Sequence, residues 1–288
     1  MPETKFDAIG TAWTITTAEP LAAPVRAAVA DLVEDYDRTY SRFRSDSVIT
    51  ALTGAASTVE LPPSAAPLLS LFDTLHRLSG GAVNPLVGHS LEELGYDAAY
   101  SFAGSGPVPA PDWSAAVSWE STGGMVQLNT RMPVTLDIGA AGKGQLVDLV
   151  FGLLRSAGHR ELTVDAGSDM RHAGVTGLRV ALEHPYDAAR AIGIVPLRDR
   201  ALCASAVNRR AWGDGLHHIL DASTGRPVER VAATWVLAAD AMTADGLATA
   251  LFFTDPARLA EEFAFDYVRM FSDGRATFSD AMAGVLFS

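Results

Sequence analysis

The chain has 288 residues, of which 48% are hydrophobic and 19% are charged. This length fits one large domain or two closely packed lobes, and the composition supplies a sizeable core, which excludes a disordered chain. The net charge of −12 argues against a nucleic-acid-binding surface, which needs basic patches, but not against a small anionic ligand. The single cysteine, Cys203, excludes an intrachain disulfide and a cysteine-rich zinc site, and its apolar surroundings favour an inert core thiol.

The sequence also bears on the compartment. No apolar stretch approaches the length of a membrane span, and the segment Met1–Phe6 contains neither the apolar region of a signal peptide nor a lipid-attachment cysteine. We therefore expect a cytoplasmic protein, although a chain trimmed of its leader would look the same.

Hydrophobic periodicity predicts the elements of the first half of the chain. In order, they are a strand at Phe6–Thr17, helices at Pro24–Tyr40 and Ser64–Leu78, a long loop at Asp97–Trp113, and a hairpin of Ala115–Trp119 with Met125–Asn129. The serine that begins the second helix and the glycine pair that follows it are typical boundary residues.

The second half continues with shorter elements. They are a strand at Val134–Ile138, a helix at Lys143–Ala157, strands at Leu162–Asp165, Leu178–Glu183, Ile192–Pro196, Ala201–Ala206, His217–Asp221 and Ala232–Ala238, helices at Ala241–Leu251 and Pro256–Phe265, and closing strands. Helices and strands alternate without a regular βαβ rhythm, which predicts an α+β fold with mostly antiparallel sheets. No repeat or linker marks a boundary, so residues 1–288 are predicted to form a single domain.

The helix predicted at Ala241–Leu251 carries the most informative polar pair. It consists of small and apolar residues, yet it contains Asp245 and, one turn later, Thr249. Residues four apart lie on one helical face, so the carboxylate and the hydroxyl point the same way. A carboxylate among apolar neighbours is costly unless it is paired or bound to a metal, and two hard oxygens suit Mg²⁺. A core aspartate satisfied by neighbouring donors is the alternative.

A second cluster joins a predicted strand to a predicted helix at Leu136–Gly144. The strand carries Asp137, small residues follow, and Lys143 opens the helix. The N–H groups of a helix N-terminus, together with a lysine, form a site suited to pyrophosphate. The spacing is not that of a Walker A loop. A plain strand-to-helix turn, in which glycine serves geometry alone, is the alternative.

Other polar segments leave two interpretations open. Asp165 and Asp169 at a strand end either cap neighbouring backbone or meet a ligand. His217 and His218 face opposite ways in an alternating strand, so only one of them need lie at a site. In Ser41–Ser47, Arg42 or Arg44 could bind phosphate and Phe43 could pack on a flat ring, or the segment is a solvated turn. Gly80–Tyr96 has the spacing of a ligand-lining loop.

The order of these segments is more specific than any one of them. The segments are Gly10-Thr11, Phe43–Ser47, Asn84-Pro85 with Gly95-Tyr96, Asp137–Asp148, Asp165–Asp169, His218–Pro227 and Asp245–Thr249. In this order they resemble the ApbE family of FAD:protein FMN transferases, and the resemblance spans nearly the whole chain. It implies an α+β fold with a deep FAD cleft and one Mg²⁺ near the pyrophosphate.

The resemblance also implies roles for individual residues. Asp245 and Thr249 would supply side-chain oxygens to Mg²⁺, and Ala140 would supply its carbonyl. The positions that resemble FAD contacts are Ile9, Phe43, Leu94, Gly95, Tyr96, Asp137, Lys143 and Asp165. His218 is the candidate for accepting the proton of the target hydroxyl, because imidazole titrates in the useful range.

Four places depart from the family pattern. The family often has Phe-Asp-Pro at Val83-Asn84-Pro85, Trp-Gly-Phe at Leu94-Gly95-Tyr96, Ser-Gly at Ser205-Ala206, and methionine at Ile9. These changes affect the fit of the flavin and leave the metal pair and Lys143 intact.

The sequence thus predicts an Mg²⁺-dependent enzyme that moves FMN from FAD to a Thr or Ser hydroxyl of an acceptor flavoprotein and releases AMP. One alternative is an Mg²⁺-dependent FAD pyrophosphatase, in which water attacks in place of the protein hydroxyl. A second is a flavin-binding protein without turnover.

Overall fold

The computed structural model describes residues 1–213 and 215–287. The chain divides into two compact units, each built from segments that are distant in sequence. The first unit consists of Met1–Val33, Ala141–Arg209 and the chain from Glu229 onward, and the second consists of Glu34–Ala140 and Arg210–Val228. Whether residues 1–288 act as a single domain stays a prediction.

The strands are short and numerous. In chain order they are β1 (Glu3–Ala8), β2 (Thr11–Thr17), β3 (Thr58–Leu61), β4 (Val117–Thr122), β5 (Met125–Thr130), β6 (Leu162–Asp165), β7 (Asp169–Ala173), β8 (Leu178–His184), β9 (Asp187–Leu197), β10 (Ala201–Ala206), β11 (Ala211–Trp212), β12 (Leu216–His217), β13 (Leu220–Asp221), β14 (Arg226–Pro227), β15 (Val231–Ala238), β16 (Asp266–Phe271) and β17 (Ala276–Phe278).

The helices vary more in length. They are α1 (Ala23–Tyr40), α2 (Ala65–Ser79), α3 (Gly88–Glu93), α4 (Trp113–Ala116), α5 (Gly142–Ser156), α6 (Ala241–Ala250) and α7 (Pro256–Leu259), with 3₁₀ turns at Val48–Leu52, Pro85–Val87 and Asp280–Met282. Among the described residues, no helix combines the length and the apolar character that crossing a membrane requires.

The first unit is organised around an eight-stranded antiparallel sheet in the order β1-β2-β6-β7-β10-β15-β16-β17. All eight residues of β15 are buried, because both faces of this interior strand are covered. Ala233, Trp235 and Leu237 point into an apolar cluster shared with the β8–β9 hairpin. On the other face, the Thr234 hydroxyl donates a 2.6 Å hydrogen bond to the Ala248 carbonyl of α6.

Helices α5 and α6 approach each other closely at Gly144. A Cβ atom at that position would overlap the Ala241 carbonyl group and lie 2.7 Å from Cβ of Asp245, so only glycine fits. The Gly144 N–H donates a 2.9 Å hydrogen bond to Oδ2 of Asp245. This contact fixes the N-terminal turn of α5 against the first two turns of α6.

Two carboxylates cap the N-terminus of α6. Asp240 is the N-cap residue and accepts from the Thr243 N–H at 2.8 Å. Asp148 of α5 accepts from the N–H groups of Ala241 at 3.0 Å and Met242 at 2.8 Å. Burial raises the pKa of Asp148, an effect opposed by these two N–H donors and by the positive charge of Arg171.

The second unit has smaller sheets. A three-stranded antiparallel sheet has the order β3-β5-β4, and β11-β12 and β13-β14 form two-stranded ladders. Helix α2 is amphipathic and buries an apolar face that includes Leu68, Phe72 and Leu75, and it ends at Gly80, whose φ of 63° is left-handed. The predictions of an α+β fold and of mostly antiparallel sheets are therefore confirmed.

Two predicted strands are wrong for identifiable reasons. Phe6–Thr17 is a hairpin, because Ile9 (φ 43°) and Gly10 (φ 77°) form a turn between β1 and β2. A two-residue turn with positive φ at both positions usually has the sequence Asn-Gly. Here isoleucine occupies the first position, so the sequence did not indicate a turn. Val134–Ile138 lies outside any strand, and the N–H groups of Val134 and Asp137 donate to the carbonyls of Leu52 and Pro85. Its residues alternate between buried and half-buried, which is the pattern that predicted a strand.

Two other predictions need shorter elements. His217–Asp221 is not continuous, since β12 ends at His217 and β13 begins at Leu220. The helix predicted at Pro256–Phe265 ends at Leu259.

The close approach of α5 and α6 gives a first testable prediction. Gly144→Ala should lower the free energy of unfolding by about 1–3 kcal/mol, because its Cβ has no room. Gly152→Ala in the same helix is the matched control: nothing lies within 4 Å of a Cβ there, so alanine should be neutral or stabilise by up to about 1 kcal/mol. Urea unfolding of both variants makes the comparison, and equal effects would contradict it.

Candidate active site

The predicted site residues are distributed over both units. In the first unit are Ile9, Lys143, Asp165, Asp245 and Thr249, and in the second are Phe43, Leu94, Gly95, Tyr96, Asp137, Ala140 and His218.

Asp245 is buried on α6 at the contact with α5. It is 4% exposed, and one of its oxygens is occupied by the Gly144 N–H. Thr249 follows one turn along the same helix and is half-buried. The helix and the shared face are confirmed. A backbone donor also partly satisfies the carboxylate, which was the alternative open at this position.

The oxygen atoms of Asp245 and Thr249 are ligands of the kind that a hard cation prefers. No group of three or more His, Cys, Asp or Glu side chains able to hold a metal occurs within 1–213 and 215–287. Cys203 donates to the Ala241 carbonyl at 3.4 Å, and burial, reinforced by the negative charge of Asp245, raises the pKa of its thiol well above the usual value. A metal here would be held by oxygen atoms from a carboxylate, a hydroxyl, water and ligand phosphate, which is the usual set for Mg²⁺.

Lys143 is the second residue of α5 and pairs with a buried carboxylate. Its Nζ forms an ion pair with Oδ2 of Asp169 and donates a 2.7 Å hydrogen bond to Oγ of Ser168. Asp169 has no exposed surface, and its Oδ1 has no hydrogen-bond partner among the described residues. The lysine is thus held in a defined position, with part of its charge already balanced.

Asp165 ends β6, and Ile9 lies in the turn between β1 and β2. Oδ1 of Asp165 accepts from the Gly167 N–H at 2.8 Å, which is the capping role left open for it, and burial raises the pKa of its carboxyl group. Ile9 lies at the tip of the β1–β2 hairpin with a φ of 43°, a conformation that a β-branched residue rarely adopts. Such strain is common at ligand sites.

A cavity of about 120 Å³ lies in the first unit beside Ser168. Its lining includes Glu183, Ala204, Ser205 and Arg209. Its size suits a few water molecules or a small chemical group, and a whole dinucleotide needs more space. One departure from the family pattern, Ser205-Ala206, therefore borders open space.

The Lys143–Asp169 pair gives a prediction on stability. Lys143→Met should cost about 3–5 kcal/mol, because it leaves the Asp169 charge buried without a cation. The double variant Lys143→Met/Asp169→Asn should recover most of this loss, since no charge remains to be compensated. Urea unfolding at pH 7 measures both, and a single variant as stable as the parent chain would contradict the prediction.

In the second unit, Asp137 is the partner of Arg42. Its Oδ2 accepts from Nε of Arg42 at 2.6 Å, and its Oδ1 accepts from the Gly139 N–H at 2.7 Å. Burial acts to raise the pKa of Asp137, but the charge of Arg42 and these hydrogen bonds outweigh it, so the pKa lies below its usual value. Ala140 follows as a half-buried turn residue, the last of this unit's first segment.

Aromatic rings cover the Arg42 guanidinium. Its Cζ lies 4.1 Å from the ring centroid of Phe43 and 5.2 Å from that of Tyr96. Tyr96 stacks on Trp212 at 5.1 Å, and the Trp212 Nε1–H donates to the Leu94 carbonyl at 2.9 Å. The predicted flavin contacts Phe43, Leu94 and Tyr96 therefore belong to one cluster.

Gly95 shapes the loop between Leu94 and Tyr96. Its φ is 89°, and a Cβ would lie 2.5 Å from the backbone nitrogen of Ala103. Any other residue would be strained and would push the returning chain away.

The two adjacent histidines have different environments. His217 uses both ring nitrogens: Nδ1 accepts from the Ile219 N–H at 3.3 Å, so Nε2 carries the proton and donates to the Val228 carbonyl at 2.8 Å. His218 has a buried Nδ1 with no hydrogen-bond partner in the described chain. Burial, with help from the positive charge of Arg210, lowers the pKa of His218 to about 3. His217 is structural, and His218 is the one with a lone pair available.

This pKa gives a prediction on titration. In the ligand-free protein, the ring resonances of His218 should stay those of neutral imidazole from pH 8 to pH 5. Because the folded pKa lies below the unfolded value of about 6.5, the group's contribution to stability is present above that pH and is lost as the pH falls toward 3. NMR titration, with His218→Gln for assignment, measures this, and a midpoint near 6.5 would contradict it.

Sequence reasoning missed several residues that build the site. Asp148, which caps α6, is a carboxylate in the middle of an apolar helix, the same signal that identified Asp245. The pairings of Arg42 with Asp137 and of Lys143 with Asp169 join segments 95 and 26 residues apart, and no local pattern encodes such a distance. No sequence pattern identified Trp212 as part of the aromatic cluster.

Comparison with known proteins accounts for nearly the whole chain. A sequence model described as the ApbE family matches residues 9–267. The chain is 25% identical to an FAD:protein FMN transferase of Klebsiella pneumoniae over 274 residues, covering 86% of this chain and 77% of that one. It is 31% identical to an FAD:protein FMN transferase of Rhodobacter capsulatus over 215 residues, covering 70% of this chain and 41% of that one.

A solved structure shows the same fold. The crystal structure of the ApbE protein from Thermotoga maritima superposes with a TM-score of 0.83 at 22% identity, covering 100% of this chain and 99% of that one.

Proposed function

Because the chain belongs to the ApbE family, we propose that it transfers FMN from FAD to a threonine or serine hydroxyl of an acceptor flavoprotein and releases AMP. The observation that supports this most is the hydrogen bond between Gly144 and Asp245. It brings a helix N-terminus that carries Lys143 next to a carboxylate–hydroxyl pair in the first unit. A helix N-terminus suits a pyrophosphate, and carboxylate and hydroxyl oxygens suit Mg²⁺.

In this proposal, the side chains of Asp245 and Thr249 would supply oxygen ligands to Mg²⁺. The bound ion would offset negative charge on the pyrophosphate oxygens. Lys143 is positioned by Asp169 and Ser168 to donate to the same phosphates. Phe43 and Tyr96 provide apolar surface for the flavin ring.

The reaction transfers the FMN group from the pyrophosphate of FAD to the acceptor hydroxyl. The acceptor hydroxyl oxygen attacks the phosphorus of the FMN half, the bond from that phosphorus to the AMP oxygen breaks, and AMP leaves. The hydroxyl proton passes to Nδ1 of His218, which is neutral and has no competing partner among the described residues. In the ligand-free protein the pKa of this imidazole is about 3, and the negative charge of bound FAD would raise it.

The direct test is incubation of the chain with FAD, MgCl₂ and a candidate acceptor, followed by mass spectrometry of the acceptor and chromatography of the nucleotides. Transfer gives an acceptor heavier by FMN and one AMP for each FMN attached. Free FMN and AMP with an unmodified acceptor would identify a pyrophosphatase. Bound but intact FAD would identify a flavin-binding protein.

The metal site has a prediction of its own. Asp245→Asn should abolish turnover while FAD binding is mostly kept, because an amide oxygen still accepts from Gly144 but is a poor ligand for a hard dication. Asp240→Asn is the matched control on the same helix, since asparagine caps as well as aspartate and turnover should be unchanged. Turnover by Asp245→Asn equal to that of the parent chain at limiting Mg²⁺ would remove Asp245 from the site.

A further inference from the structure

Arg42 is buried with most of its hydrogen-bond donors unused. Its side chain is 3% exposed, and only Nε has a close acceptor, Asp137. Nη1 and Nη2 are buried and have no hydrogen-bond partner in the described residues, although Nη1 lies 3.8 Å from Oε1 of Glu92. A buried charged group with unsatisfied donors costs free energy, which a bound ligand with acceptor atoms would recover.

The charge balance around Arg42 decides which acceptor fits. Asp137 already neutralises the guanidinium at 2.6 Å, so a second full negative charge gains little from it. Uncharged carbonyl oxygens can still accept from the two Nη groups, which form a planar fork. Arg44, two residues on, is paired with Glu34, Asp37 and Asp46, and so it offers neither kind of site.

The rings beside Arg42 suit a flat ligand. Phe43 and Tyr96 lie against its guanidinium, and Tyr100 packs on both, stacked on Phe43 at an interplanar angle of 4°. Tyr100 is 49% exposed, and both Tyr100 and Phe102 have a φ of 50°, which bulky residues rarely adopt. Tyr100 is therefore an exposed ring that lies on Phe43, and its backbone is strained, as is that of Phe102.

We propose that Arg42 is a specificity-determining residue that donates from Nη1 and Nη2 to carbonyl oxygens on the edge of the ligand's planar ring, after Tyr100 moves aside. The inference rests on the proposed function, which makes that ring the isoalloxazine of FAD. It assigns Arg42 to the ring and excludes it from the phosphates.

The test compares a ligand that has the ring with one that lacks it. Arg42→Lys keeps the charge opposite Asp137 but loses the planar fork. Affinity for FAD should fall roughly 10- to 100-fold, the effect of losing hydrogen bonds to a charged group, while affinity for ADP stays the same. Arg44→Lys is the matched control and should change neither. Calorimetric titration gives the affinities, and thermal unfolding checks that each variant is folded.

The contrary outcomes are distinct. Equal losses for FAD and ADP would place Arg42 on the phosphates, and no loss for either would make it purely structural; both overturn the inference. Tyr100→Ala should bind FAD at least as tightly as the parent chain, and a loss of FAD affinity there would overturn the displacement of Tyr100. A parent chain that binds no FAD defeats the proposed function, whereas FMN transfer with an unchanged FAD-to-ADP ratio in Arg42→Lys defeats only this inference.

Discussion

The ligand-directed groups of the first unit depend on one close approach, that of the N-terminal turn of α5 to α6. Gly144 leaves no space between the helices, and its N–H holds Asp245, while Asp148 in the next turn of α5 caps the first N–H groups of α6. Arg171 in turn pairs with Asp148 at 2.7 Å. The spacing of Lys143 from Asp245 is therefore set by the close approach of the Gly144 and Ala241 backbones and by carboxylates that accept from backbone N–H groups.

A different principle organises the second unit, where one buried ion pair lies under aromatic rings. Arg42 and Asp137 join the chain after α1 to the segment before α5. The departures from the family pattern fit their surroundings: Nδ2 of Asn84 donates to the Pro111 carbonyl at 2.8 Å, a bond that an ionised aspartate cannot make, while its Oδ1 caps the Leu86 N–H. Tyr96, where the family commonly has phenylalanine, stacks on Trp212.

Elements with strong periodicity or clear end signals were predictable from the sequence. α1, α2, α5 and α6 match within one or two residues, and β6 and β10 match throughout. The errors lie where burial or an unusual turn imitates another pattern, as at Val134–Ile138 and at the Ile9-Gly10 turn. For the site, the sequence identified Lys143, Asp137 and Asp245 by residue type and position. Their partners Asp169, Arg42 and Gly144 needed three-dimensional proximity, which one sequence does not contain.

The interleaving of the two units along the chain has a consequence for biosynthesis. The second unit lacks residues 210–228 until they emerge from the ribosome, and at that moment the first unit still lacks β15, an interior strand of its sheet, as well as α6. Until β15 is synthesised, β10 has an unpaired edge and the apolar cluster on β15 is missing from the core. Folding therefore waits for the last fifth of the chain, and a nascent chain stalled near residue 230 is a natural client for chaperones.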